Sequence, residues 1–452
     1  MNSRNISEYY EKEVPAYGCY DNIRKVSGID GLKNSQRKLI WAAFKRCFND
    51  YVKTDTMCAQ TQIDTAYIHG AANLESVITG LVQGFVGANN YPLLIGNSGG
   101  FGSRLNTRAA AGRYTRIKMA PITKVLLKSI DNEILDKQYF EGQYIEPRCL
   151  MPIFPILFLN GSSGLSIGFS QNIYPRNPEK VIEYIKKKIS GTEHPRMELL
   201  PWFKGFTGTI SKNKETGAVE SFGVIVRNNT TSYTITELPI GMEYQKYVEV
   251  LDGLCDDGII QDYVDKCDAK LNDRILFEVK TTRDFTKRHE DMHSLMRCFK
   301  LIKPLSETLT QVDEFGRVQE FNNIYEMLDV FIKIRLEFYK KRKDYLLKSL
   351  KADIEQLLSK YLFVKGIVDG SIVVSKKTKD EITKQLESIP KIMKLDGTYS
   401  YLLAMPIHSL TKEKMEELKS QIQAKKAEHD AVKQKTVETM WTDDLQELKK
   451  LL

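Results

Sequence analysis

A chain of 452 residues is too long for a single hydrophobic core and predicts roughly two to four domains. Apolar residues make up 42% and charged residues 27%, the balance of a folded globular protein, and a net charge of +8 is only a mild pointer to a polyanionic partner. The longest apolar run, Leu150 to Leu159, is short and carries Pro152 and Pro155, which excludes it as a membrane-spanning helix.

The start, MNSRNISEYYEKEV, is polar where a secretory signal needs a basic segment and then an apolar one. The seven cysteines are scattered without a CxxC pair. Both features predict a chain kept in a reducing cytosol, without a disulfide framework.

Residues 35 to 48 place Leu39, Ile40, Ala43, Phe44 and Cys47 on one helical face, with Ser35 as the expected cap. A second helix is predicted over 71 to 86, from Leu74, Val77, Ile78, Leu81, Val82 and Phe85. A glycine-rich stretch, GNSGGFGSR, and then AAAGRYTRI follow. Short helices before a basic loop fit a helix-turn-helix or winged-helix module.

Charge is distributed unevenly here. Ser76 to Ile130 contains no acidic residue, although about one residue in eight of the chain is acidic. The same 55 residues carry Arg104, Arg108, Arg113, Arg116, Lys118, Lys124 and Lys128. Ordinary surfaces mix both signs, so this stretch predicts a phosphate-binding surface.

Beyond residue 200, FTGTISK, VESFGVIVR and YTITEL are separated by turn residues and predict a three-stranded meander. Ile275, Phe277 and Val279 alternate as in a further strand. From Asn322 the chain reads as helical, with Leu347, Leu350, Ile354, Leu357, Tyr361 and Val364 forming a heptad seam. A second such segment, Thr411 to Lys435, begins with Met415, Leu418 and Ile422 at the same spacing. Two long helices running out and back, with a small cap between them, is the economical geometry.

Within the basic stretch Arg113 adjoins Tyr114. A tyrosine phenol opposite a phosphodiester can displace the sugar oxygen and form a phosphotyrosine ester. A neighbouring guanidinium stabilises the negative charge of that transition state. The ester keeps the energy of the broken bond, so the exchange is reversible without an external energy source.

Around this pair the sequence resembles the type IIA DNA topoisomerases over nearly its whole length. DNIRKVSGIDGLKNSQRKL is similar to their DNIR...DGxKPxQRK segment, and YIHGAANLESVI to a Y-H-H-G or Y-H-P-H-G element. FVGANNYPLLIGNSGGFGSRL and AAAGRYTRI resemble FVGSNN...FGTR and the AAAxRYT signature of the active-site tyrosine. PILFLNGSSGLSIGFSQNIYPRNP, PWFKGFTGTI, YLLAMPIHSLT and TMWTDDL also have counterparts, in the same order.

Carried over by position, the resemblance implies Tyr114 as nucleophile and Arg113 as its transition-state partner. Arg24 and His69 would join them at the scissile phosphate. Lys33 and Arg37 would grip nearby DNA backbone, and Arg104, Arg116 and Lys118 would add DNA contacts from the basic stretch. Leu165 stands where the family has a wedge isoleucine and is still able to enter a base step. One departure is plain: the family has a second histidine just before the one matched by His69, and here the neighbouring positions are Ile68 and Tyr67. His289, Glu290 and His293 spell a literal HExxH, but with no third ligand apparent it reads as an exposed helix rather than a zinc site.

The sequence has no GxxxxGK[ST] loop and nothing like the acidic metal motifs of the family's Toprim domain. Such carboxylates would hold the Mg2+ that polarises the phosphate. The resemblance therefore implies that a partner polypeptide supplies ATPase and Toprim functions, binding ATP and most of the Mg2+. It further implies a homodimer joined at a distal gate and double-stranded DNA as substrate. Ending at Leu452, soon after the second stalk helix, the chain would also lack a DNA-wrapping C-terminal domain. Eukaryote-like motifs on a separate short chain resemble the medium subunit of T4-type bacteriophage topoisomerases, which implies a cytoplasmic location, the host's if viral.

The expected fold is α+β and multidomain: a winged-helix-like DNA-binding region over 1–145, an α/β tower over 146–305, an antiparallel coiled-coil stalk from 306–365 and 409–452, and a small helical distal gate over 366–408. A DNA-binding dimer that has lost catalysis and serves as a scaffold is the alternative.

Overall fold

The computed structural model of the protein describes residues 6–97, 100–192, 197–271, 273–375, 377–406 and 410–452. The fold is mixed α and β, in two compact units. Unit one comprises Met1–Arg335 with Asp444–Leu452, and unit two comprises Leu336–Asp443. Residues 306–335, grouped with the stalk by sequence, thus pack in the first unit, where Arg335 donates to Asp131 at 2.9 Å and to the Met151 carbonyl at 2.6 Å, both inside the core.

The first unit opens with a helical run from Ile6 that ends in helix α1 (Val14–Lys25), and helix α2 (Asn34–Arg46) follows. Next come strand β1 (Val52–Lys53), helices α3 (Thr54–Thr65) and α4 (Ala71–Val82), and strands β2 (Leu94–Gly96) and β3 (Arg116–Met119). The three strands form an antiparallel sheet with β3 in the middle. On α2 the predicted face is the buried one, with Leu39, Ile40, Ala43 and Cys47 all fully enclosed.

Two helix boundaries differ from expectation. Ser35 lies inside α2 rather than capping it, and the free N–H of the cap residue Lys33 is satisfied by the Gln36 side chain at 2.9 Å. Helix α4 stops at Val82 because the chain turns to extended backbone at Gln83, whose side chain donates to the Phe101 and Thr107 carbonyls. Gly84 then passes so close to Pro92 that a Cβ would lie 2.7 Å from its ring.

The predicted meander is split. Val219–Phe222 pairs with Thr209–Lys212 and Ile302–Pro304, whereas Val224–Arg227 joins Ser232–Glu237, Phe277–Lys280 and Asp262–Asp265 in a separate four-stranded sheet. The junction is Gly223, where a Cβ would meet the Glu237 carbonyl oxygen at 2.5 Å. No side chain fits there, so the backbone can cross between sheets. Tyr233, Ile235, Phe277 and Val279 of the larger sheet enclose one core with Tyr247 and Leu251 of the helix Tyr244–Asp256.

The HExxH segment is not a helix. His289 caps the end of helix Arg283–Arg288, and Asp291 caps the start of Met292–Cys298. Its two histidines therefore do not share a helix face, and His289 Nδ1 is instead 3.0 Å from the Ser294 hydroxyl.

In the second unit the helix Ile324–Val368, which begins in the first, faces Lys412–Gln434. Lys343 donates to the Lys433 and Lys435 carbonyls, and Asp353 pairs with Lys425, so the two helices run in opposite directions. Leu350, Leu418 and Ile422 are buried. Phe363, Ile372, Leu386, Ile392, Tyr399 and Leu402 form a separate small core. Lys376 and part of the expected gate, residues 407–409, lie outside the described residues.

Candidate DNA-cleavage site

Tyr114 ends a single 3-10 turn, Gly112–Tyr114, that leads into β3. Two clamps hold the turn. The buried Thr115 hydroxyl donates to the Thr54 hydroxyl at 2.7 Å, and Thr54 N–H donates back to the Thr115 carbonyl at 3.0 Å. Gly112 is pressed against α4, with its N–H 3.4 Å from a Glu75 carboxylate oxygen. A Cβ there would stand 2.9 Å from that carboxylate. The backbone is thus fixed while Tyr114 as a whole is 73% exposed. Arg113 lies beside it, its guanidinium carbon 5.7 Å from the ring centroid.

Arg24 and His69 form a second group. His69 directly precedes Gly70, the N-cap of α4. Burial and the nearby Arg24 charge hold its imidazole below the ordinary value. Among the described residues no hydrogen bond or ion pair joins this group to Arg113 and Tyr114.

The basic residues divide into two kinds. Among the described residues Arg24, Arg108, Arg113, Arg116 and Lys118 form no ion pair, and Lys118 rests over the Tyr51 ring at 4.6 Å. These charges are free to meet phosphate. Arg104 is instead paired with Glu237 at 2.5 Å, where both side chains are largely buried. Lys128 is held by Asp444 and Glu447. The stretch without acids along the chain therefore meets carboxylates in space, contributed by distant segments.

Arg37 is also engaged internally, so it does not present itself as a DNA contact. Its guanidinium donates to both oxygens of Asp30, at 2.6 and 2.9 Å, and to the Leu32 carbonyl. Asp30 is fully buried and also accepts the N–H groups of Leu32 and Leu150. Burial opposes the charge on Arg37, but the Asp30 carboxylate outweighs it and holds the guanidinium above its ordinary value. Removing one partner of such a pair costs about 3–5 kcal/mol, so Arg37 holds the fold.

Lys33 supports a hairpin. Its ammonium donates to the Ser163 carbonyl at 2.5 Å, and burial pulls it below the ordinary lysine value. The hairpin pairs Ser162–Leu165 with Ser170–Ile173. It is docked on α1 through Gly164, where a Cβ would lie 2.2 Å from the Lys25 carbonyl oxygen. The Ile167 N–H donates to Asp21, itself paired with Lys25. Leu165 is 76% exposed, and Ile167, which motif matching did not single out, is 48% exposed beside it. The hairpin thus carries two exposed apolar side chains, two residues apart.

Among the described residues no group of three or more histidine, cysteine or acidic side chains could hold a metal ion. None of their helices is long and apolar enough to cross a membrane.

A family model for the A subunit of DNA gyrase/topoisomerase IV matches residues 26–446. Over 98% of its length the chain is 33% identical to "DNA topoisomerase 2, mitochondrial" of Dictyostelium discoideum, covering 35% of that protein. It is 29% identical to DNA topoisomerase 2 of Saccharomyces cerevisiae, over 97% of the chain and 34% of the relative. A crystal structure of the Plasmodium falciparum topoisomerase II DNA-binding, cleavage and re-ligation domain superposes with a TM-score of 0.90 at 32% identity, covering 98% of this chain and 64% of that one. The chain spans about a third of the length of the curated relatives it matches. With the family model matched across nearly all of its residues, the chain belongs to the family of DNA gyrase/topoisomerase IV A subunits.

Proposed function

We propose that this chain performs the breakage and reunion of DNA within an ATP-dependent type II topoisomerase, cutting both strands through transient 5'-phosphotyrosine linkages. Strand passage through that break serves relaxation and decatenation. The observation that carries this reading is Tyr114, an exposed phenol on a clamped turn beside Arg113 and next to unpaired cations.

In the reaction the Tyr114 oxygen attacks phosphorus, the phenol loses its proton, and the bond from phosphorus to the 3' oxygen breaks. The 3' hydroxyl leaves protonated. Reunion is the same exchange in reverse. Arg113, Arg24 and His69 hold the phosphate and its growing charge. Arg116 and Lys118 bind the flanking backbone, and Leu165 with Ile167 kinks the duplex.

Mg2+ and ATP belong to this reading as cofactors of the complete enzyme, held mainly by a partner carrying ATPase and Toprim domains. Residues 1–145 act as the winged-helix-like region and 146–305 as the tower. The facing helices form the coiled-coil stalk, whose cap over 366–408 is the distal gate of a homodimer. A T4-type bacteriophage origin, with action in the host cytoplasm, rests on motif resemblance alone.

Mixing the complete enzyme with end-labelled duplex and quenching with denaturant tests the function. The expected result is protein covalently attached to 5' ends. DNA binding without any adduct would favour the scaffold reading. The chain by itself should bind duplex with a steep salt dependence, because each phosphate neutralised by Arg108, Arg113, Arg116 or Lys118 releases counterions. Fluorescence anisotropy from low to high salt measures the slope, and a flat response contradicts the assignment of these cations.

A further inference from the structure

Tyr20 belongs to none of the motifs above, yet its hydroxyl stands 3.1 Å from Nε2 of His69. It reaches there from α1, one turn before Arg24, and residues four apart share a helix face. Its ring leans on Tyr17 at 6.5 Å between centroids, while the residue stays 44% exposed. The His69 ring stands edge to face on Tyr67, whose hydroxyl is held by Asn73. A phenol, an imidazole and a guanidinium therefore gather at one place.

With Nε2 protonated, His69 donates to the phenolic oxygen and leaves the Tyr20 O–H to donate elsewhere, and among the described residues none of the three groups is paired with a carboxylate. The one acid of α1, Asp21, is already engaged by Lys25 and by the Ile167 N–H. His69 also adjoins the start of the twelve-residue α4, where free backbone N–H groups favour an anion. At the neighbouring position Ile68 is 76% exposed and has no side-chain donor.

We propose that Tyr20 is a further phosphate-contacting residue, its hydroxyl donating to a non-bridging oxygen of the scissile phosphodiester beside His69 and Arg24. Being neutral, the phenol releases no counterion, and its contribution is to the oxygen charge that grows as Tyr114 attacks. The proposal rests on the breakage-reunion reading.

The test measures adduct formation by the complete enzyme, assembled with the polypeptide that carries the metal site, at saturating DNA. Tyr20→Phe keeps the ring and its contact with Tyr17. Adduct formation should slow roughly tenfold, the worth of one hydrogen bond to a charged group, with DNA affinity and its salt slope unchanged. Adding Ile68→His to Tyr20→Phe should restore most of the rate by returning a donor next to His69. A tyrosine with a merely structural role would not be rescued in this way. A Tyr20→Phe rate equal to wild type, or a loss that Ile68→His leaves untouched, overturns the proposal while the breakage-reunion reading stands. Absence of any wild-type adduct removes both.

Discussion

Tyr114→Phe abolishes the covalent protein-DNA adduct and leaves duplex affinity unchanged. Only the phenolic oxygen is deleted, and that oxygen makes no hydrogen bond among the described residues. The Gly112–Tyr114 turn is held by Thr54 and Glu75 through Thr115 and Gly112, so the fold does not depend on it. Denaturant-trapped adducts on end-labelled DNA measure the first quantity, and anisotropy titration measures the second. Strand passage by the reconstituted Tyr114→Phe enzyme would remove Tyr114 from the reaction altogether.

Arg113→Ala slows adduct formation by roughly 10² to 10³, the range for losing one donor aimed at transition-state charge. Its side chain is exposed and among the described residues forms no ion pair, so the thermal transition should not move with the rate. Arg113→Lys recovers only part of the loss, because an ammonium cannot offer the two parallel N–H groups of a guanidinium. Equal single-turnover rates for wild type and Arg113→Ala would show that this arginine serves binding alone.

Features set by neighbouring residues were readable along the chain. Spacing alone located the helices later found at Asn34–Arg46 and Ala71–Val82, and the Arg113-Tyr114 pair is a dipeptide. Features set by distant partners were not. Arg104 is a free cation in sequence until Glu237, 133 residues on, arrives beside it. Tyr20 and His69 are 49 residues apart, and nothing in the composition around Tyr20 marks it. Arg37 sits only seven residues from Asp30, but its burial comes from tertiary packing that helical periodicity does not report. Ile167 carries no mark in the sequence, because its exposure depends on a hairpin seated on Asp21 and Lys25.

The passage of Val219–Arg227 through Gly223 has a dynamic consequence. One unbroken segment supplies a strand to each of two sheets, so neither sheet can shed that strand without pulling on the other. Local opening on either side must then propagate across the glycine, joining the two sheets into one cooperative unit. Strain applied to the smaller sheet is shared by the larger, a coupling that two sheets joined by a slack loop would lack.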